Sequence, residues 1–247
     1  MNHYRNDSYR FYRFPVSLQD TPSPDYLLLY EDRNKYQTLV NIIRYSKAFG
    51  TWLCIYAKLY TGYTGIKFYN QYWNAVNQKV LVLYSEPAGS GGFISYTVLG
   101  EEDGQIVEYI SQENIFSGTV FFQDNQLIQG SGNQFKVWKK INDQFVLEPY
   151  HMPQYPDALV ISYSIPNENT VVIDKTQYTV PVGAVIQFIR EDFNDIPERL
   201  MFSSNPPCIE FIQFATFRVT CKTKMTTTIV PDAYNWDGAK NVIITAQ

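Results

Sequence analysis

The clearest hydrophobic pattern in the chain is an alternation of side chains between Trp52 and Tyr60. Successive side chains of a β-strand point to opposite faces of the sheet, so this alternation predicts a strand with two different faces. One face is predicted to enter a core and carries Leu53, Ile55, Ala57 and Leu59. The other is predicted to contact protein, because its rings have an apolar body and a polar tip, and it carries Trp52, Cys54, Tyr56, Lys58 and Tyr60.

Strand patterns continue along most of the chain. A strand over 66–73 follows a glycine-containing turn at 61–65, which predicts a hairpin with the first strand. The apolar run within 79–85 predicts a buried strand, and an alternating strand follows at 93–98. Turn signals such as Asp103-Gly104 separate further short strands, which are predicted at 105–110, 118–122, 135–138, 145–147, 158–165, 170–173, 178–180, 184–189, 209–219, 226–230 and 241–245.

One segment has helical spacing instead. Between Glu31 and Phe49, the apolar residues Tyr36, Leu39, Val40 and Ile43 occur at positions i, i+3, i+4 and i+7, and Gly50 stands where a helix commonly ends. This pattern predicts one helix whose apolar stripe covers a sheet, with a partner-binding groove as the alternative.

Residues 1–25 differ in composition from the rest, because arginines alternate with aromatic residues and prolines follow them. We predict an extended N-terminal arm that docks onto a neighbouring subunit. A segment with this composition can also bind single-stranded nucleic acid, but the acidic net charge of the chain disfavours specific nucleic-acid binding. Together the elements predict a mainly β fold, namely a compact multi-sheet β-sandwich with one or two peripheral helices, in which residues 1–25 form the arm and 26–247 a single β-rich domain.

The composition favours self-association. Charged residues make up 18% of the chain, below the roughly 25% typical of soluble proteins, and the net charge is −4. Tyrosine, which is enriched at protein interfaces, occurs 20 times. The predicted self-assembly interface consists of the arm aromatics and the exposed aromatics of 51–73, namely Tyr4, Tyr9, Phe11, Tyr12, Phe14, Trp52, Tyr56, Tyr60, Tyr63, Tyr69 and Tyr72.

No catalytic group, metal site or cofactor is predicted. The two histidines have no neighbours in sequence that would form a catalytic triad or a zinc site. We predict that two acidic clusters are solvent-exposed loops or turns, although a pair of distant carboxylates for glycoside hydrolysis stays open. These clusters are Glu191, Asp192, Asp195 and Glu198, and Glu101, Glu102 and Asp103.

A glycine-rich loop is the candidate nucleotide site. It consists of Gly89, Ser90, Gly91 and Gly92, but it lacks the Gly-Lys-Ser/Thr ending of a P-loop and runs into a strand pattern. A flexible hairpin loop is therefore the preferred interpretation.

The three cysteines, Cys54, Cys208 and Cys221, show no C-x-x-C spacing, so reduced and mostly buried thiols are predicted. The N-terminal segment has no apolar leader region and no later apolar run reaches the length of a membrane span, so an intracellular protein is expected.

Two passages resemble segments of cypovirus polyhedrins. The first is Pro156-Asp157-Ala158-Leu159-Val160-Ile161-Ser162-Tyr163-Ser164-Ile165-Pro166 with the following Thr170-Val171-Val172-Ile173, and the second is Ile229-Val230-Pro231-Asp232-Ala233-Tyr234. The similarity covers about a tenth of the chain, and the length and tyrosine content also agree.

The resemblance implies a structural protein that self-assembles into a crystalline occlusion body, which embeds virions in the cytoplasm of an infected insect cell and dissolves at alkaline pH. Some members of this family bind nucleotides, which would place a nucleotide at the loop ending in Gly92. The alternatives are another viral, phage or spore-surface structural subunit, and an insecticidal or pore-forming β toxin.

The tyrosines offer a physical account of alkaline dissolution. Tyrosine and lysine side chains titrate near pH 10, and both become more negative as the pH rises. Burial raises the pKa of a tyrosine, so clustered rings stay neutral until the solution is strongly alkaline. Repulsion between the ionised groups would then oppose packing.

Overall fold

The structure is a computed structural model that describes residues 9–19, 24–62, 65–85, 92–194, 196, 198–204, 208–213, 215–231 and 236–247. Within these residues the chain forms strands arranged in several sheets, which confirms the mainly β prediction. The same residues contain no helix, so the predicted peripheral helices are wrong for the part of the chain that is described.

The chain divides into two compact units. The first consists of Met1–Gln129 and Val137–Leu147, and the second of Gly130–Lys136 and Glu148–Gln247. The single domain expected over residues 26–247 stays a prediction.

The first sheet of unit 1 is a meander of four antiparallel strands in chain order, β1 (Tyr9–Val16), β2 (Asp25–Asp32), β3 (Gln37–Ser46) and β4 (Thr51–Thr61). Strand β1 pairs with β2 along its whole length, from Tyr9 opposite Asp32 to Val16 opposite Asp25. Residues 9–16 of the predicted arm are therefore an edge strand of this sheet, and residues 1–8 lie outside the described part of the chain.

The predicted helix over Glu31–Phe49 is instead the hairpin of β2 and β3. Thr38, Val40 and Ile42 alternate inward along β3 and are fully buried, while Leu39 points outward. Such β-branched residues favour strands, and this preference prevails over the helical spacing of four apolar positions. Gly50 has a φ of 62° in the turn between β3 and β4, where a left-handed conformation is required.

Strand β4 contains a β-bulge at Ile55. Ile42 pairs with Tyr56 and Ile43 pairs with Cys54, so Ile55 has no opposite residue. An extra residue reverses the alternation of side chains on either side of it. The predicted faces of β4 are consequently wrong beyond the bulge, where Tyr60 is buried and Leu59 is exposed.

The second sheet of unit 1 has the order β5 (Lys67–Trp73), β6 (Gln78–Tyr84), β7 (Ile94–Glu102) and β8 (Gln105–Ile115), with antiparallel neighbours. The predicted hairpin of β4 with β5 is wrong, because these strands belong to different sheets. The predicted buried strand is confirmed as β6, in which Val80, Leu81, Val82 and Leu83 are at most 2% exposed.

A third sheet has the order β12-β11-β10-β9, with β9 (Gly118–Gln123), β10 (Gln126–Ser131), β11 (Gln134–Ile141) and β12 (Gln144–Tyr150). Two hydrophobic clusters lie within unit 1. Leu81 and Leu83 of β6 pack with the inner residues of β1–β4, whereas Val80 and Val82 pack with residues such as Val120, Leu127 and Trp138. The β5–β8 sheet is therefore buried on both faces.

The remaining strands of unit 2 form two mixed sheets. The first has the order β14-β13-β16-β19-β18 and the second β15-β21-β20-β17. Both contribute to one hydrophobic cluster that includes Ile161, Phe217, Ile229 and Ile244. The strands are β13 (Leu159–Asn167), β14 (Thr170–Val172), β15 (Gln177–Val180), β16 (Val185–Arg190), β17 (Arg199–Ser204), β18 (Ile209–Gln213), β19 (Thr216–Val219), β20 (Thr223–Val230) and β21 (Lys240–Ala246).

Every predicted strand after residue 100 overlaps an observed one. The range 209–219 is two strands, β18 and β19, because a turn around Ala215 interrupts it. Strands β10 and β17 were not predicted.

A disulfide joins Cys208 to Cys221 across the open end of the β18–β19 hairpin, with the Cα atoms 5.2 Å apart. The prediction of three reduced thiols is therefore wrong for these two residues. Sequence spacing did not reveal the pair, because the hairpin alone brings together residues that are 13 positions apart. Cys54 is free and exposed rather than buried.

Candidate self-assembly interface

The face of the β1–β4 sheet that points away from the β6 leucines carries a row of exposed apolar side chains, and we call it the outer face. Strand register places Phe11, Tyr30, Leu39 and Leu59 directly opposite one another across all four strands. Their exposed fractions are 55%, 43%, 37% and 53%. The row borders a depression of about 300 Å³. An exposed apolar row of this width is typical of a surface that contacts another molecule.

Aromatic rings also cluster at the other end of the outer face. The Trp52 ring lies 5.2 Å from the Tyr26 ring and 5.5 Å from the Tyr45 ring, each centroid to centroid. The Arg13 guanidinium stacks 3.8 Å from the centroid of Tyr26. Tyr45 and Trp52 remain about two-fifths exposed after these contacts, so they retain surface for a partner.

The outer face carries little charge. Among the residues that the register places on it, the charged ones are Arg13 and Asp32, which have opposite signs. The Asp32 carboxylate accepts hydrogen bonds from the backbone nitrogens of Asn34 and Lys35, at 3.1 and 3.3 Å. Both charges therefore already have contacts within the chain.

The predicted interface residues of the arm separate into two groups. Tyr9 and Phe11 lie on the outer face and are exposed. Tyr12 and Phe14 point the other way and pack against the hydrophobic cluster that includes Leu81 and Leu83. The centroid of the Phe14 ring lies 5.0 Å from that of Phe68. Alternation along β1 explains this separation.

Tyr56 and Tyr60 face inward, away from the surface that was predicted for them. Their hydroxyl oxygens are 2.9 Å apart, and Tyr60 is only 5% exposed. Beside them, the Lys58 ammonium forms an ion pair with Glu108 of β8 at 2.6 Å. Burial, together with the hydrogen bond to Tyr60, raises the pKa of Tyr56 well above its ordinary value. These two hydroxyls can therefore act on the folding of unit 1 but not on a contact at the outer face.

Tyr69 and Tyr72 lie on β5 and hence away from the outer face. Tyr69 stacks on Tyr84 at 5.1 Å, and burial raises its pKa to about 12. Tyr72 is 36% exposed and donates a hydrogen bond to Asn77.

Several predicted positions fall outside the described residues, namely Tyr4, Tyr63, Gly89, Ser90 and Gly91. Gly92 is described and adopts a φ of 59° in a turn, where its carbonyl accepts a hydrogen bond from the Gly118 nitrogen. The flexible hairpin loop stays the preferred prediction for this segment, and nucleotide binding stays its untested alternative.

The sequence did not reveal four contributors to the outer face, Tyr30, Leu39, Tyr45 and Leu59. Leu39 and Tyr45 lie within the segment predicted as a helix, Tyr30 directly precedes that segment, and Leu59 was predicted to face the core. A signal was present in the apolar run 26–30, which has the length of a strand, and in the β-branched residues Thr38, Val40 and Ile42.

The acidic cluster near residue 195 is only partly a solvent-exposed loop, because Glu191 is exposed in a loop whereas Glu198 is buried. Glu198 is 1% exposed and accepts hydrogen bonds from the Tyr163 hydroxyl at 2.7 Å and the Asn133 nitrogen at 3.1 Å. The buried Arg190 guanidinium contacts Glu198 at 3.3 Å and Asp192 at 2.6 Å. Burial outweighs these favourable contacts and raises the pKa of Glu198 to about 6. Asp195 lies outside the described residues.

Glu101 likewise is buried rather than exposed in a turn. Its carboxylate contacts the Arg44 guanidinium at 2.5 Å, and Arg44 also contacts Asp25 at 2.7 Å. Gln19 donates a further hydrogen bond to Glu101. The neighbouring Asp103 and Gly104 form the predicted turn, with φ values of 50° and 83°.

Across the described part of the chain, no group of three or more His, Cys, Asp or Glu side chains is arranged to hold a metal ion. Among the same residues, no helix is long and apolar enough to cross a membrane. Comparisons with protein-family models, curated proteins and solved structures give no match to this chain.

Proposed function

We propose that this chain is a non-enzymatic structural protein that self-assembles. The observation that carries the proposal is the concentration of exposed apolar side chains on one sheet. The β1–β4 sheet and its turns carry more exposed large apolar residues than all other described segments together. Those on the sheet and its turns are Tyr9, Phe11, Tyr30, Tyr36, Leu39, Tyr45, Phe49, Trp52, Leu53 and Leu59. Burying them against another molecule is favourable because it removes apolar surface from water.

The low charge of the chain supports the same function. A net charge of −4 over 247 residues gives weak repulsion between copies near neutral pH. A protein that presents a broad apolar face without strong repulsion is expected to associate at high concentration.

In its most specific form, the proposal is the matrix of a crystalline occlusion body that holds virions, with each unit built as a compact β-sandwich. The short passages that resemble polyhedrins and the 20 tyrosines support this form. The expected location is the cytoplasm of an infected cell. No bound cofactor is required for the assembly itself.

Alkaline dissolution is part of this proposal, and the buried tyrosines give it a physical basis. Burial raises the pKa of Tyr69 and Tyr109 to about 12, and it raises that of Tyr96 and Tyr163 as well. Above about pH 10 the unfolded chain loses tyrosine protons that the folded chain still holds. The free energy of unfolding therefore falls as the pH rises above 10.

The Cys208–Cys221 disulfide favours a second candidate, a structural subunit of a particle or cell surface that assembles in an oxidising environment. Disulfides persist in such environments and are rare in the reducing cytosol. Trapping free thiols by alkylation during isolation from the native source would separate the candidates. Rapid labelling of Cys208 and Cys221 favours cytoplasmic assembly, whereas protection favours the second candidate.

The test of self-assembly is the state of the purified wild-type chain at millimolar concentration. We expect particles or crystals by light scattering and electron microscopy at pH 7, and their loss above about pH 10. A freely soluble monomer at pH 7 would overturn the proposal. Leakage of dye from liposomes by the solubilised protein would instead favour the pore-forming alternative.

A further inference from the structure

The outer face matches a particular partner, and this deduction rests on the proposed self-assembly. We infer that the outer face of one copy packs on the outer face of a second copy, sheet on sheet, about a two-fold axis. The assembling unit is then a symmetric dimer in which the row of Phe11, Tyr30, Leu39 and Leu59 becomes part of a shared core.

The size of the face supports a stable dimer. Four strands at about 4.8 Å spacing and four cross-strand rows at about 6.8 Å give an area of roughly 19 by 27 Å, and a fifth row on β3 and β4 adds about 65 Å². The total is roughly 590 Å² per copy, or about 1,200 Å² for two copies. Specific interfaces bury about 1,000 Å² or more, so this face alone is sufficient without contributions from elsewhere.

Charge on the face also fits a second copy. Arg13 and Asp32 have opposite signs, so the face has no net charge and does not repel an identical face. Each group already has contacts within its own chain, through Tyr26 for Arg13 and through two backbone nitrogens for Asp32. Packing two such faces therefore leaves neither charged group without a contact. A buried charge that lacks a contact is costly, and this cost is the usual obstacle to burying charged residues.

Two-fold symmetry limits what this contact can build. An isologous contact uses the same surface on both copies and closes on itself. The outer face therefore yields dimers only, and growth into a larger lattice must use other surfaces of the dimer.

Leu39→Lys is the decisive variant, because Leu39 is exposed near the middle of the row and a lysine there would be buried in both copies. Ile141→Lys is the matched control, since Ile141 is similarly exposed on β11 and lies off the outer face. Sedimentation velocity over a dilution series should give twice the 28.7 kDa chain mass for the wild type and the control. The dimer dissociation constant should rise at least tenfold for Leu39→Lys and change less than twofold for Ile141→Lys.

Cys54 provides a second readout, because it is a free thiol on the same face. Its alkylation rate should fall at least fivefold as the wild-type concentration passes from monomer to dimer, and it should stay constant for Leu39→Lys. Circular dichroism checks that the variant is folded. Leu59→Lys, near the edge of the row, replaces Leu39→Lys if that variant does not fold.

The outcomes separate this inference from the proposed function. If the wild type assembles but neither Leu39→Lys nor Leu59→Lys weakens the dimer, self-assembly stands and the outer-face contact is overturned. If the wild type is monomeric at every concentration, both are overturned. A monomer that binds phosphatidylcholine vesicles through the outer face would also overturn the inference and assign the face to lipid.

Discussion

Units 1 and 2 treat their apolar surface in opposite ways. In unit 1, one sheet is buried on both faces while its neighbour leaves a continuous apolar face exposed. In unit 2, the exposed large apolar residues are dispersed over separate segments, namely Val172, Val182, Met201, Phe211 and Trp236. Scattered apolar residues are normal on a soluble domain, whereas a continuous row indicates a partner.

The two units also differ in their cross-links. Both keep buried carboxylates paired with arginine, Asp25 and Glu101 with Arg44 in unit 1 and Glu198 with Arg190 in unit 2, but among the described residues only unit 2 has a disulfide, Cys208–Cys221. The outer face of unit 1 is almost free of charge. We infer that unit 2 is built for internal stability and unit 1 for association, and the following variants test this contrast.

The largest effect is expected from Arg190→Met, which leaves the buried Glu198 carboxylate without its cation. Removing one partner of a buried pair typically costs about 3–5 kcal/mol in unfolding free energy. Chemical denaturation at pH 7.5 measures the loss. The control is Arg218→Met, whose exposed pair with Glu210 at 3.5 Å should contribute less than about 1 kcal/mol. Equal losses for the two variants would contradict the assigned role of the buried pair.

The next effect concerns the disulfide. Replacing Cys208 and Cys221 together with alanine should lower the unfolding free energy by about 3 kcal/mol, because a disulfide restricts the unfolded chain. Hydrogen exchange should place the lost protection in β18 and β19. Cys54→Ala serves as the control and should leave stability within about 0.5 kcal/mol. A double variant as stable as the wild type would show that the cross-link does not stabilise unit 2.

A smaller effect follows from the raised pKa of Glu198. Its folded-state value of about 6 exceeds the ordinary value of 4.5, so its stabilising contribution is complete below pH 4.5 and is lost as the pH rises through 6. The difference of about 1.5 pKa units corresponds to roughly 2 kcal/mol. Comparing the pH dependence of unfolding for the wild type and Glu198→Gln isolates this contribution. An identical pH profile between 4.5 and 7.5 would contradict it.

The smallest effect is expected from Leu59→Thr on the outer face. Its exposed side chain contributes little to the folding of the monomer, so we expect a change within about 0.5 kcal/mol. By contrast, Leu81→Ala removes a fully buried side chain and should cost about 2–5 kcal/mol. Dilute, monomeric protein must be used for both measurements. A large loss for Leu59→Thr would mean that the outer face is needed for folding.

Local signals made most of the fold predictable. Strands bounded by turn residues such as Asp103-Gly104 were located correctly, because alternation and turn chemistry are properties of short segments. The β2–β3 hairpin was missed because four apolar positions happened to match a helical period. Sequence spacing also missed the disulfide and the burial of Glu198, because both depend on strands that meet only after folding.

The candidate interface was predictable in kind but not in detail. Tyrosine content and low charge indicated a surface for association, and Tyr9, Phe11 and Trp52 were among the residues named. Alternation could not place Tyr56, Tyr60 and Leu59 on the correct face, because the bulge at Ile55 reverses the direction in which the side chains after it point.

The bulge at Ile55 also bears on how this surface can evolve. Cys54 and Tyr56 pair with Ile43 and Ile42, which are consecutive residues of β3, so a chain without Ile55 could keep every pair of this sheet and both faces of β4. A single codon deletion could therefore remove the bulge in one step without altering the composition of the contact surface.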